Sequence, residues 1–100
     1  MTVSDYITQK IGSFGMHLSE ADLLDMTLNS SVSLEDEVTK ENMAEVNRAI
    51  AVFIPSLLAR PTSVNENGFS VSWDKDGIKA YYSLLCKQLE IEDVFSSRIS

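Results

Sequence analysis

The two side chains that could form a cysteine–histidine catalytic pair occur once each in this sequence, and they lie far apart along the chain. His17 is the single histidine and Cys86 is the single cysteine. A histidine that takes the proton of a thiol generates a reactive thiolate. His17, however, falls in a short connector between predicted helices, and Cys86 falls in the last predicted helix, with no helix N-terminus near it in sequence to lower its pKa. We therefore expect no enzyme, with a Cys86–His17 pair as the catalytic alternative.

A second candidate site is a run of oxygen-bearing side chains around the end of the second predicted helix. The ligand offsets of an EF-hand calcium loop are filled by Asp25, Thr27, Asn29, Ser31, Ser33 and Asp36. Ser30 stands where such a loop requires glycine, and an aspartate replaces the glutamate that would bind through both oxygens. We expect no metal. The glycines are too scattered for a phosphate-binding loop, so we expect no cofactor either.

The most distinctive local pattern is a short strand signal between two helical segments. Phe69, Val71 and Trp73 alternate with serines, and residues 65–68 supply the turn residues before them. This pattern predicts a β-hairpin. Because two strands alone are marginally stable in water, the hairpin should lie on the helices or pair with another chain. The interaction residues that we predict are Val64, Glu66, Gly68, Phe69, Val71 and Trp73.

Four segments with apolar residues at helical spacing predict the helices that position these groups. Ser4 is the expected cap of the first, Ser19 with Asp22 forms a capping box for the second, Thr39 caps the third, and Asp74 or Asp76 caps the fourth. The predicted apolar faces comprise Val3, Ile7, Ile11 and Phe14; Leu24 and Leu28; Met43, Val46, Ile50, Phe53 and Leu57; and Ile78, Tyr81 or Tyr82, Leu85 and Leu89.

The third helix is the longest, and Pro55 lies inside its pattern. Proline lacks a backbone N–H and clashes with the carbonyl four residues before it, so we expect a kink or a break near residues 52–55. The predicted fold class is mostly α, a small helical domain of about four helices with one β-hairpin between the long helix and the last helix.

Length and charge limit the functions that the chain can have. Its 100 residues are enough for one domain, 1–100, in which residues 91–100 form either a frayed tail or an arm that packs on something else. Residues 1–47 carry nine acidic and two basic residues, whereas residues 48–100 carry six of each. An acidic half repels phosphate and anionic lipid, so we expect neither nucleic acid nor membrane as a direct partner. Without a signal-peptide pattern, we expect an intracellular protein.

The order of these elements resembles the small head-tail connector (head-completion) proteins of tailed phages. The residues that carry the resemblance are Ser63, Glu66, Gly68, Ser70, Ser72 and Trp73, followed by the helix at 78–85. The chain is also similar to uncharacterised proteins of prophage-like islands, which share the segments at 53–55, 60–63 and 68–73. The first resemblance implies copies assembled in a ring beneath a portal, with the hairpin and the ends of the long helix touching neighbours.

We therefore predict a non-enzymatic virion assembly protein of the head-tail connector type, found in the bacterial cytoplasm or in the virion. Its expected partners are proteins: copies of itself in a homo-oligomer, and portal or tail proteins. The alternative is a small adaptor or regulatory module that binds one partner through an apolar groove beside the third helix.

Overall fold

A computed structural model describes residues 1–28, 30–59, 63–66 and 69–93, with residues 63–66 and 69–72 described by their backbone alone. The helices are α1 (Val3–Gly12), α2 (Glu20–Thr27), α3 (Met43–Leu58) and α4 (Lys75–Leu89). Two short strands, β1 (Ser63–Glu66) and β2 (Phe69–Ser72), come between α3 and α4. The helices follow the order and the approximate positions that apolar spacing predicted.

The third helix lies at the centre of the core. α3 packs against both α2 and α4, and α1 packs against α2. Ile50 and Ile54 are fully buried on α3, and Ile78 is fully buried on α4. α3 has buried residues on more than half of its circumference, so other parts of the chain cover it on more than one side, while Val52 stays 71% exposed. The predicted stripe along this helix is confirmed at Val46, Ile50 and Leu57, whereas Phe53 is only half-buried.

Helix caps follow local hydrogen bonding, and two of the four predicted caps are confirmed. Ser19 and Asp22 exchange backbone-to-side-chain bonds of 3.1 and 3.2 Å at the start of α2. Asp74 accepts from the Gly77 N–H at 2.9 Å, which resolves the choice between Asp74 and Asp76. The prediction for α1 is wrong, since Thr2 and not Ser4 accepts from the Asp5 N–H.

The predicted start of α3 at Thr39 is also wrong. Thr39 and Asn42 exchange reciprocal bonds, from the Thr39 N–H to Asn42 Oδ1 at 2.8 Å and from the Asn42 N–H to Thr39 Oγ1 at 3.2 Å. This pair closes a separate turn, because each polar side chain satisfies a backbone donor locally instead of starting a helix. The helix begins after it, at Met43.

Proline at position 55 does not break α3, which continues to Leu58. Pro55 removes one helical hydrogen bond, because it has no N–H to donate to the carbonyl four residues before it, and it lies only three residues before the end of the helix. The next residue, Ser56, donates its hydroxyl to the Phe53 carbonyl at 2.7 Å and so satisfies one backbone acceptor near the proline. Of the predicted kink or break, the break is wrong because the helix is continuous, and the kink stays a prediction.

The predicted fold class needs a correction, because the domain is all-helical in its packing. Among the described side chains, the buried core belongs to the four helices and their connectors. The segments β1 and β2 pair antiparallel with each other, Ser63 opposite Ser72 and Glu66 opposite Phe69, and join no further strand among the described residues. Two four-residue segments form too small a ladder to act as a structural layer. The chain is therefore a small all-helical domain of four helices, not a mixed fold in which a hairpin is a structural unit.

The connector between α2 and α3 is held against the N-terminal segment. The Val3 N–H donates to the Asp36 carbonyl at 2.8 Å, and the Ser4 N–H donates to the Leu34 carbonyl at 3.0 Å. Thr2 and Glu37 also form an isolated antiparallel bridge. These bonds occupy backbone donors that the first turn of α1 leaves free. They place Leu34 and Glu35 beside the N-terminal ends of α1 and α2.

Glu90, which follows α4, has a left-handed backbone conformation with φ 56° and ψ 41°. A side chain with a Cβ is unfavourable there, and glycine is the residue that most often ends a helix in this way. We expect Glu90→Gly to raise the free energy of unfolding by about 0.5–1 kcal/mol in urea titrations. Gln88→Gly, in the right-handed helix, is the matched control and should lower it by about 1 kcal/mol. Equal destabilisation by both variants would contradict this interpretation.

Candidate functional site

The two candidate catalytic residues lie in opposite environments. His17 is exposed in the connector between α1 and α2. Cys86 is only 2% exposed on α4, and its thiol donates to the Glu92 carbonyl at 3.8 Å. Burial raises the pKa of the Cys86 thiol, which favours the protonated and poorly nucleophilic form. The structure does not bring these two residues together through any contact of the described side chains.

The residues at the calcium-loop offsets take other partners. Asp25 and Thr27 lie in α2, where the Thr27 hydroxyl donates to the Leu23 carbonyl at 3.3 Å. Asp36 accepts from the Ser33 N–H at 2.8 Å and closes a turn. Asn29 lies outside the described residues. Within the described ranges, no three His, Cys, Asp or Glu side chains are grouped as metal ligands would be.

The predicted interaction residues lie mostly where only the backbone is described. Val64 and Glu66 belong to β1, and Phe69 and Val71 belong to β2. Gly68 lies outside the described residues. Trp73 is half-buried and packs against the core, as do Tyr81 and Leu89. Among the predicted interaction residues, Trp73 is therefore the one whose side-chain surroundings are described. Its ring contributes to the packing of the core.

Aromatic side chains join α1 to α4 around one lysine. The rings of Phe14 and Tyr81 have centroids 5.6 Å apart. Lys10 Nζ lies 5.6 Å from the Tyr81 ring centroid and 6.0 Å from the Tyr6 centroid, at the outer limit of a cation–π contact. The Tyr81 hydroxyl is buried and has no hydrogen-bond partner among the described residues. Burial raises the pKa of Tyr81, and the neighbouring Tyr6 adds to this shift.

The structure also resolves the predicted choice between Tyr81 and Tyr82 as the inward residue of α4. Tyr82 is 3% exposed and forms the inner face.

The first surface with exposed apolar side chains lies on α2 and the connector that follows it. Leu24 is 54% exposed and Leu28 is 66% exposed, one helical turn apart. Adjoining cavities of about 500 and 430 Å³ share Leu24, Leu34 and Glu35 in their walls. We call this surface the acidic leucine face; its residues are Leu24, Leu28, Leu34, Asp5, Glu20 and Glu35. None of the described residues that line either cavity is basic.

The sequence did not predict this surface. Leu24 and Leu28 were assigned to the buried side of α2, although a second group of residues has the same helical spacing. The buried side of α2 is formed by Leu23, Met26 and Thr27. Both sets have helical spacing. A signal was present in the sequence, since consecutive leucines at 23 and 24 lie about 100° apart on a helix, and a narrow buried face holds only one of them.

The second surface is a groove between α2 and α3, which we call the α3 groove. It encloses about 230 Å³ and is lined by Asp25, Met26, Ser30, Glu45, Arg48, Ala49, Val52 and Phe53. Val52 is 71% exposed. Glu45 lies 3.9 Å from Arg48 and accepts from the Ser31 hydroxyl at 3.2 Å. One acid of the groove is thus partly neutralised, whereas the acids of the leucine face have no basic neighbour among its lining residues.

Comparison with known proteins places the chain in a family. A model of the family of unknown function DUF6706 matches residues 1–100, so the chain belongs to that family. No curated protein and no solved structure matches it significantly. In the part of the chain that the structure describes, no helix combines the length and the apolar character needed to cross a bilayer.

Proposed function

We propose that this member of a family of unknown function is a non-enzymatic assembly protein of a phage or prophage, of the head-tail connector type, that acts through contacts between subunits. The observation that carries the proposal is the distribution of exposed apolar side chains over several helices. Leu24 and Leu28 lie on α2, Val52 lies on α3, and Leu84 lies on α4 with 52% of its surface exposed. Each is a candidate for burial against another protein.

A subunit of a closed ring needs more than one such surface. Neighbours in a ring meet through two different faces of each copy, and a connector also meets the proteins above and below it. A chain that exposes apolar groups on α2, α3 and α4 suits this arrangement. The order of two short helices, a long helix and a final helix is also that of the connector proteins that the sequence resembles.

The proposal is tested by the mass of the protein in solution and by its complexes. We expect copies to associate as concentration rises, and the protein to co-purify with the portal or tail proteins encoded beside it. Val52→Asp and Leu84→Asp should each weaken at least one of these associations tenfold or more, because each places a charge in an apolar contact. Gln9→Asp adds the same charge at an exposed polar position of α1 and is the matched control.

A protein that stays monomeric at every concentration and binds neither the portal nor the tail proteins contradicts the proposal. Association that Gln9→Asp weakens as much as Val52→Asp does would contradict the role of the apolar side chains.

A second function, a small adaptor or regulatory module, is favoured by the α3 groove. The cavity of about 230 Å³ is smaller than the ~300–1,000 Å³ typical of small-molecule sites. It suits one large apolar side chain of a protein partner, seated between Met26 and Val52. One partner bound by a monomer, with loss of binding in Val52→Asp and not in Leu84→Asp, distinguishes this function from a ring assembly. Neighbouring transcription or toxin genes, instead of portal and capsid genes, would agree with it.

A further inference from the structure

We infer that the acidic leucine face binds a basic amphipathic helix of a partner protein. This inference rests on the proposed function and deepens it, because it assigns one surface of the assembly protein and the chemistry of what that surface contacts. It follows from three features of the face: the pair of exposed leucines, the acids around them, and the cavities between α1, α2 and the connector.

The leucine pair has the spacing at which helices contact one another. Leu24 lies in α2 and Leu28 is the C-cap residue that follows it in right-handed helical conformation, so the two lie on one side of the helix about one turn from each other. The side of α2 that faces the core is formed by other residues, Leu23 and Met26. A helix that is apolar on both sides is under-packed in the isolated chain. Leucines at this spacing match the apolar anchors that a partner helix presents at its own positions i, i+3 and i+4.

The cavities beside this pair give a partner's side chains a place to pack. The larger one, of about 500 Å³, lies between Leu23, Leu24 and Leu34. The other, of about 430 Å³, extends along Thr27 and Leu28 to the connector at residues 30–35. Because the two share lining residues, they form one continuous depression along α2. A second helix laid along this depression would cover both exposed leucines.

The acidic residues around the two cavities favour a basic partner. Asp5, Glu20 and Glu35 line the larger cavity without a basic residue among its described lining. Asp5 and Glu20 lie in the first turns of α1 and α2, where an acid also stabilises its own helix. Glu35 lies in the connector and has no such role. Lysines or arginines flanking the apolar stripe of a partner would be attracted to all three acids, which favours association and fixes its orientation.

The same charges argue against a second copy of this face as the occupant. Two acidic leucine faces brought together would oppose six carboxylates across one contact, which repel each other. The chain as a whole carries a formal charge of −7, so long-range repulsion between copies acts in the same direction. We therefore assign the face to a different protein, and self-association to the other surfaces.

The test uses the full chain, labelled with ¹⁵N, and two synthetic helices with the same leucine and phenylalanine stripe. One probe has lysines beside the stripe, and its twin has glutamates. We expect the lysine probe to shift the amide signals of residues 20–28 and 34–35 and to bind at least tenfold more tightly than the glutamate probe. Because its contacts are between charges at a surface, its affinity should fall as salt is raised from ~0.05 to ~0.5 M.

Variants separate the contribution of the leucines to probe binding from that of the acids. Leu28→Asp should weaken binding of the lysine probe tenfold or more. Glu35→Lys should weaken this binding and reduce its dependence on salt. Leu84→Asp and Glu90→Lys make the same changes at exposed positions of α4 and just beyond it, and should leave binding within twofold. All four positions are exposed, so the fold should persist, which amide spectra verify directly.

Equal binding of the two probes, no binding at ~1 mM, or equal effects of Glu35→Lys and Glu90→Lys would overturn the inference. Concentration-dependent shifts at residues 20–28 without any probe would also overturn it, since a second copy would then occupy the face. If the probes fail while the protein still co-purifies with portal or tail proteins, the inference fails and the proposed function stands. If the lysine probe binds as expected while neither complex forms, the face is assigned and the connector function fails.

Discussion

Ile54→Ala should lower the free energy of unfolding by about 3–4 kcal/mol. Ile54 is fully buried in the last two turns of α3, the helix that α2 and α4 both contact. Removing three carbons there loses their transfer free energy and leaves a cavity that helices packed on more than one side cannot easily fill. In a domain of this length, such a loss corresponds to a fall in the melting temperature of roughly 12–30 °C.

The matched control is Val52→Ala, two residues earlier on the same helix. Val52 is 71% exposed, so its truncation should change the free energy of unfolding by less than about 0.5 kcal/mol. Urea denaturation at low protein concentration, where association is absent, measures both variants. A loss below about 1 kcal/mol for Ile54→Ala would show that α3 is not the centre of the core.

Tyr81→Phe should stabilise the protein by about 1–2 kcal/mol. The Tyr81 hydroxyl is buried and no described residue bonds it, so folding removes it from water without replacing the bond that water made. Phenylalanine keeps the ring that packs against Phe14 and faces Lys10 Nζ, and lacks the unsatisfied hydroxyl. Thermal and urea unfolding at neutral pH measure the gain. A loss of stability would show that the hydroxyl has a favourable partner in solution.

Tyr81 also makes the free energy of unfolding depend on pH in the alkaline range. Burial raises the pKa of Tyr81 in the folded chain above that of a free tyrosine, about 10. The stability that this shift contributes is complete below pH ~10, and is lost as pH rises from there through the folded-state pKa, because the unfolded chain then releases its proton first. Tyr81→Phe should therefore lose less stability than the wild type between pH 9 and ~11. Tyr6→Phe removes only the smaller cause of the Tyr81 shift, so it should reduce this loss of stability by less than Tyr81→Phe does.

The two proposed surfaces have different consequences for the assembly. The α3 groove contains Arg48 together with Asp25 and Glu45, so it can accept a neutral partner, including another copy of the chain. The acidic leucine face has no base in its described lining and selects a basic partner. In the proposed assembly, one chain would therefore present one surface to its own kind and another to a different protein.

Local patterns in the sequence were sufficient where the governing interactions lie within one turn of the chain. The capping box of Ser19 and Asp22 and the cap at Asp74 depend on side chains that reach backbone N–H groups three residues away, so they could be predicted. The buried stripes of α1 and α3 follow from apolar residues repeated at 3.6-residue spacing. The caps are decided before the chain meets any distant segment, whereas the spacing decides only which apolar residues can share one face.

The tertiary structure alone decided which of several locally equivalent choices is realised. Sequence spacing allowed Leu24 and Leu28 to be the packed residues of α2, but contact with α1 and α3 buries Leu23 and Met26 and leaves the former pair exposed. The choice between Tyr81 and Tyr82 was decided in the same way by the rotation of α4 against α3. A short helix has little preference for either side until a neighbour covers one of them, because burial is a property of the pair and not of the segment. The candidate site on α2 is the surface that this choice left uncovered.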